Sequence, residues 1–407
     1  MPRPPGQAVT QETTMQQALL ALDHPAGPWQ ARFGGIGATE TSSADAPAPA
    51  QQDAGRAAEA DDPVAFGIGW DHARHGLLPD SALMFASRAL GQGWQAARSA
   101  FGRRVLPARR SVRRWLALRL QAWVEGAGYD ELQLTPHYLQ QIEASHCPVT
   151  RRPLGGDGDH APCISRLRQD AGYGAGQLVV LSRLARDAML GVDLAEAQQR
   201  AARLLRATTA DAHLHSGLDA GDWSRLVCLM GFARHEGPSE GAPFPLHVLP
   251  PNRVRVLQAR QGLQVLLTLR LAQAGWSRRA RAMADRLPRP TLRHDFQLFV
   301  GALAPRLMSI DPALAPVARR WALEDTWRDP RVQRRWALLA AQLDDSEAEH
   351  WLDDLAHEGL GGLHLVVHRP EAATEGWALR RGARSGRSRT CGRPPQNRSA
   401  TTRPSAS

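Results

Sequence analysis

Apolar residues recur at helical spacing over much of this chain. Between Ser81 and Gly126 they fall at Leu83, Met84, Leu90, Trp94, Val105, Leu106, Trp115, Leu116, Leu118, Leu120 and Trp123. That spacing is the signature of amphipathic helices. Pro107 and the glycines divide the run into at least two of them. The pattern returns over 194–208, at Leu194, Ala197, Ala201, Leu204 and Leu205. From Trp223 to Glu358 it predicts helices at 223–234, 253–274, 277–286, 291–308, 312–327, 329–343 and 346–357. Pro250-Pro251, Gly275, Pro288, Pro290, Asp311-Pro312, Asp329-Pro330 and Asp344-Asp345 separate them. Arg-Arg-Trp-Ala-Leu occurs at 319–323 and again at 334–338, which we read as two similar helices of one bundle. Short connections favour antiparallel neighbours.

Other stretches lack that rhythm. Residues 10–23 predict a short helix capped by Thr10, Thr13 or Thr14. Residues 37–63 hold six acids against Arg56 and almost no large apolar side chain, and read as a linker. Phe66–Pro79 carries two aromatics and several glycines, and is expected to be a packed loop where the folded region begins. Residues 208–222 read as a polar loop and Leu363–His368 as a strand. Beyond Pro370 no periodicity is left, and disorder is expected.

Residues 146–190 change character. Ala161–Arg168 alternates as a half-buried strand does. Asp170-Ala-Gly-Tyr-Gly-Ala-Gly176 is a turn, Gln177–Leu181 a second strand, and Ser182 a cap for a helix that starts at once. The expected order is strand, turn, strand, helix. The fold class is therefore mainly α, a helical bundle region with a small embedded ββα unit. The organisation is an N-terminal helix and linker (1–63), Arg-rich helices with the ββα unit (64–210, the unit at 146–190), a helical domain (211–369) and a basic tail (370–407). A length of 407 residues suits two or three domains.

The ordered anchors Cys147-Pro148-Val149-Thr150, Pro162, Arg166, Gly172-Tyr173, Leu178, Val180, Ser182 and Ala185 resemble the HNH-type endonuclease domain, the ββα-metal fold, in a variant found in phage and mobile-element proteins. The likeness covers about a tenth of the chain. It implies a divalent metal held near the end of the first strand and on the helix. At the positions where the family places Asp, Asn and Asn, this chain has Ser165, Gln177 and Arg186. Two neutral groups and a fixed cation are poor ligands for a hard metal ion, which takes carboxylate oxygen. The expectation is a fold kept and a catalysis lost. Gly172, Tyr173, Val179 and Val180 are its structural residues.

Two other sets of ligand-type residues lie near the first strand. Asp157, Asp159 and His160 precede the first strand and form either a relocated Mg site near Arg166 or a polar turn. His146, Cys147, His160 and Cys163 are ligand types zinc accepts, yet they lack a Cys-x-x-Cys knuckle and the first two are adjacent. The default expectation is no cofactor. The four cysteines are too few for a disulfide framework and are expected to be reduced.

Charge matters once it is located. All 50 basic residues are Arg, as expected of a GC-rich genome. The formal charge is +10, and eight Arg without an acid lie between Arg380 and Arg403, so the tail carries most of the excess. That tail is either a non-native end, such as a shifted reading frame, or an electrostatic arm for nucleic acid. Arg98, Arg103, Arg104, Arg109, Arg110, Arg113, Arg114 and Arg119 form a second acid-free cluster, interleaved with Trp94 and Trp115. Together with Arg166 it is the candidate phosphate-contacting surface, or else a solvated helix face. Asp71 with His72 or His75 offers a nonspecific acid–base pair, and His213, His215, His364 and His368 are equally nonspecific.

The composition excludes collagen-like and wholly disordered classes. No run suits a membrane span or a secretory signal, so a cytoplasmic protein is expected. The favoured reading is a nucleic-acid-binding protein with a catalytically degenerate HNH-like unit, with a regulatory or mobile-element role expected. The alternatives are a divergent metal-dependent HNH endonuclease and a helical protein-interaction scaffold.

Overall fold

The computed structural model describes residues 62–206, 217–234 and 245–357. The helix expected over 10–23, most of the 37–63 linker, the 363–368 strand, the basic tail and the histidines at 213, 215, 364 and 368 lie outside those residues.

The described chain starts in helix α1 (Pro63–Arg74), which corrects the packed loop expected at 66–79. The Asp62 carboxylate accepts hydrogen bonds from the Val64 and Ala65 amides at 3.0 and 3.1 Å, and Pro63 opens the first turn. The glycines that suggested a loop belong to an interface. Ala65, Gly69 and Ala73 recur every fourth residue on α1, and Ala89, Gly93 and Ala97 do so on α3 (Arg88–Phe101). A side-chain carbon on Gly69 would strike the Leu90 carbonyl, and one on Gly93 the Phe66 carbonyl. The two backbones are in contact, so hydrogen is the only side chain that fits at either crossing position.

Helix α2 (Ser81–Ala86) precedes α3, and α4 (Arg110–Val124) follows it, so the 81–126 run holds three helices. Helix α5 (Pro136–Gln141) was not anticipated. Thr135 caps it through a 3.2 Å bond from the Tyr138 amide, and Pro136 stands at its start. Strands β1 (Pro162–Arg166) and β2 (Leu178–Ser182) form an antiparallel hairpin that runs directly into α6 (Arg183–Met189). Helices α7 (Leu194–Arg206), α8 (Ala220–Phe232), α9 (Ala259–Leu271), α10 (Trp276–Asp285), α11 (Pro290–Met308), α12 (Pro316–Asp325), α13 (Pro330–Gln342) and α14 (Asp345–His357) complete the described chain.

Helices α10, α11, α13 and α14 match their expected spans to within one residue at each end. Three boundaries move further. The 253–274 span is helical only from Ala259, because Pro250-Pro251 and a positive φ of 63° at Arg253 keep the preceding residues out of a helix. Instead Val254, Val256 and Leu257 are buried, and the Arg255 and Leu257 amides bond the Gly176 and Phe232 carbonyls. Helix α8 begins inside the expected 208–222 loop, behind a reciprocal capping box of Asp219 and Asp222. Helix α12 starts at Pro316 and gives way to a 3-10 turn at Thr326–Arg328.

The two Arg-Arg-Trp-Ala-Leu copies do different work. Trp336 of α13 is 1 % exposed and packs on Trp327 and Phe299, with ring centroids 5.6 and 5.4 Å away. Trp321 of α12 is half-buried and meets the His146 ring edge-on at 5.4 Å. The pentapeptide specifies a helix, and the face that helix turns inward decides each tryptophan's role.

Strand β2 is buried throughout, because its two faces serve two cores. Val179 and Leu181 join the large core that holds Trp223, Phe232, Phe299 and Trp327. Leu178 and Val180 join a smaller one with Leu118, Leu139 and Tyr173. Period-two alternation thus wedges the hairpin between two sets of helices. No helix among the described residues is long and apolar enough to cross a membrane.

Candidate nucleic-acid interface and the hairpin–helix unit

The hairpin register pairs Cys163 with Leu181, Ser165 with Val179 and Arg166 with Leu178. Ser182 ends β2 and caps α6, its hydroxyl accepting from the Ala185 amide at 3.4 Å. The Arg183 and Leu184 amides donate to the Ala161 and Asp159 carbonyls at 2.9 and 3.1 Å. The free donors of this helix start are therefore consumed by the protein itself.

None of the three positions that the resemblance ties to metal chemistry suits a metal. Ser165 is 5 % exposed, and its hydroxyl has no hydrogen-bond partner among the described residues. Gln177 is fully buried, and its amide nitrogen donates to the Gly172 carbonyl, which fixes the preceding turn. Arg186 is paired with its neighbour Asp187 at 2.6 Å. The Cys163 thiol is pushed up by burial, and the charges of Arg186 and Arg183 oppose that shift. Positive charge thus lies close to Cys163 on the first strand. A hard divalent ion needs several oxygen ligands, carboxylates foremost, and these residues do not supply them.

Nor do the replacement sets converge. Asp157 and Asp159 are exposed, and His160 is half-buried with its Nδ1 unpartnered among the described residues. His146 faces Trp321 and bonds Ser145, the buried Cys147 thiol accepts from the Ser182 amide and hydroxyl at 3.3 Å, and the Cys163 thiol points to the Ala161 carbonyl. Among the described residues, no three His, Cys, Asp or Glu side chains form a group able to hold a metal ion.

Arg166 is an internal residue. Its guanidinium donates to the Ala171 carbonyl at 2.7 Å and to Glu125 at 2.8 Å, and lies 4.4 Å from the centre of the Tyr173 ring. The Tyr173 hydroxyl donates to the same Glu125 oxygen at 3.0 Å. Glu125, just past the end of α4, was not singled out from the sequence, because nothing local marks it as the partner of a residue 41 positions away. Asp71 and His72 are likewise committed to structure. Asp71 pairs with Arg119 at 2.5 Å, and His72 bonds the Ile68 carbonyl at 2.8 Å while burial pulls its pKa down.

The basic cluster of 98–119 divides in two. Arg119 is buried between Asp71 and Glu131 and over the Trp115 ring, Arg114 pairs with Glu143 at 2.9 Å, and Arg113 bonds the Ala108 carbonyl at 3.1 Å. Arg103, Arg104, Arg109 and Arg110 are exposed, and their side chains have no hydrogen bond or ion pair to another described residue. Arg98, also exposed, lies over the Trp94 ring at 4.8 Å.

The loop carrying these arginines, between α3 and α4, has a defined position. Its Leu106 amide bonds the Arg74 carbonyl at 2.9 Å, and Val105 sits against Gly76, where a side-chain carbon would lie only 3.3 Å from the Val105 Cγ2. Arg109 then stands at the cap position of α4 without a side-chain hydrogen bond, and the first turn holds no acid. A helix start carries partial positive charge, and arginine is disfavoured there by a few tenths of a kcal/mol. The arrangement concentrates unpaired positive charge on one fixed loop and an uncapped helix start.

Compared with known proteins, the chain matches no family model, no curated protein and no solved structure.

Proposed function

We propose that this protein binds nucleic acid without cutting it. Arg103, Arg104, Arg109 and Arg110 contact backbone phosphates, and the amides at the start of α4 reinforce them. The supporting observation is that these four guanidinium groups are exposed and unpaired on a loop held against α1, while Arg113, Arg114, Arg119 and Arg166 have partners inside the protein. Guanidinium forks match phosphate oxygens, and contacts of this kind carry affinity without reading base sequence. In this reading the hairpin–helix unit is an HNH-like fold whose catalysis is gone. Ser165, Gln177 and Arg186 support that loss, since two are buried and neutral and the third is a paired cation.

The test is incubation of the purified full chain with supercoiled plasmid and Mg, Mn or Ni. The expected result is retarded, uncut plasmid at low salt. Nicking that depends on the metal and disappears in Asp159→Ala or His160→Ala would overturn the proposal in favour of an active nuclease. Absence of any retardation would favour the helical scaffold.

A further inference from the structure

We infer that the Arg103–Arg110 loop has an occupant within its own chain, the acidic segment 40–61, which competes with nucleic acid for it. The inference rests on the binding reading above and adds a regulation to it.

Three observations lead there. The first is the unpaired charge itself. The acids that α4's neighbourhood offers are already used, Asp71 and Glu131 by Arg119 and Glu143 by Arg114. Arg98, Arg103, Arg104, Arg109 and Arg110 are left facing solvent.

The second is complementarity. Residues 40–61 contain Glu40, Asp45, Asp53, Glu59 and Asp61 against Arg56 alone. These acids are spaced among Ala, Pro, Ser and Gln, so no neighbouring base neutralises most of them. Glu40, Asp45 and Asp53, the three acids farthest from the α1 cap, set three carboxylates against the exposed arginines.

The third is tethering. The acidic segment ends at Asp61, next to the cap of α1, and the arginine loop is bonded to the last residue of that same helix, Arg74. A helix of 12 residues spans about 18 Å. A flexible tether of nine residues, the separation of Asp53 from Asp62, would span roughly 17 Å. Asp53 and the acids before it are thus within reach of the loop, and a contact made at that range has a high effective concentration.

The consequence is an intramolecular competitor. Each carboxylate–arginine pair at such a surface is worth a few tenths of a kcal/mol, so neutralising three acids should tighten nucleic-acid binding roughly fivefold. The experiment compares the full chain with a full-length variant carrying Glu40→Gln, Asp45→Asn and Asp53→Asn, which leaves the Asp62 cap intact. The probe is a fluorescent duplex oligonucleotide read by anisotropy at about 100 mM salt.

The expected result is tighter binding by the neutralised chain, with the advantage lost when Arg103, Arg104, Arg109 and Arg110 are all alanine. Equal affinities, with the arginine dependence intact, would overturn this inference and leave the binding proposal standing. An advantage that persists without the arginines would also overturn it. Sedimentation of both chains supplies the last arm. A wild-type dimer that dissociates on neutralisation would place the acidic segment on a second copy and contradict the intramolecular assignment. If neither chain binds the duplex, the binding proposal fails and this inference with it.

Discussion

Arg151 and Glu324 lie 173 residues apart in sequence and meet in a 3.0 Å ion pair that joins the turn before the hairpin to the end of α12. Glu324 is almost wholly buried. Its carboxylate also takes the Leu249 amide at 2.9 Å and Arg320 at 3.2 Å, while Arg151 reaches Asp325 at 2.9 Å. Burial pushes the Glu324 carboxyl up, and Arg320, the Leu249 amide and Arg151 oppose the shift. From the other side Arg225 of α8 donates to the Val149 carbonyl in the same turn. Polar bonds therefore lock the hairpin–helix unit to the helices that follow it.

Removing one partner of a buried pair strands the other, which is costlier than never having formed it. Arg151→Ala should lower stability by about 3 kcal/mol, read as a drop in the urea midpoint. Arg151→Met combined with Glu324→Leu should lose clearly less. Equal losses would mean that the pair is not the clamp described above.

Gly69 and Gly93 predict a second loss. Any side chain at either position meets a backbone carbonyl of the facing helix. Gly69→Val or Gly93→Val should cost about 3 kcal/mol, whereas Gly91→Ala on the same α3, with only a 3.7 Å contact, should be tolerated. Thermal denaturation of the three variants checks the contrast.

This interface was legible in the sequence in one sense and hidden in another. The Ala65-Gly69-Ala73 and Ala89-Gly93-Ala97 spacing was visible, yet helix prediction from large apolar residues gives small ones no weight. Glycine reads locally as a breaker. Only the approach of a second backbone turns it into a packing residue. The hairpin was easier, because Ser165, Val179 and Ser182 follow local rules of alternation and capping. Arg166 was harder still. Its charge suggested phosphate, but its partner Glu125 sits beyond any local pattern, and burial cannot be read from an arginine's neighbours.

Arg166 therefore separates structure from binding. Arg166→Met should cost about 2 kcal/mol of stability through the loss of Glu125 and the Ala171 carbonyl, while leaving duplex affinity unchanged at temperatures where the variant is folded. A variant that folds as well as wild type but binds weakly would return Arg166 to the interface.

His247 gives the pH prediction. Burial lowers its pKa from 6.5 to about 4, with Arg328, Arg225 and Arg151 adding to the effect. The folded state thus resists a proton that the unfolded chain accepts below about 6.5. Stability is full above that value and falls as pH drops toward 4. At pH 5 the loss attributable to this one group is about 2 kcal/mol. Urea midpoints at pH 7 and pH 5 should diverge more in wild type than in His247→Gln, and parallel shifts in both would contradict the assignment.

The salt dependence of duplex binding reports whether the Arg103–Arg110 loop holds the phosphates. Each phosphate neutralised on a duplex contributes about 0.9 to the slope of log affinity against log salt. Full-length protein should lose affinity steeply with salt, and the Arg103→Ala, Arg104→Ala, Arg109→Ala, Arg110→Ala variant should show a slope shallower by about 3 to 4 with its circular dichroism unchanged. Two superimposable slopes would mean that the phosphates are held somewhere other than this loop.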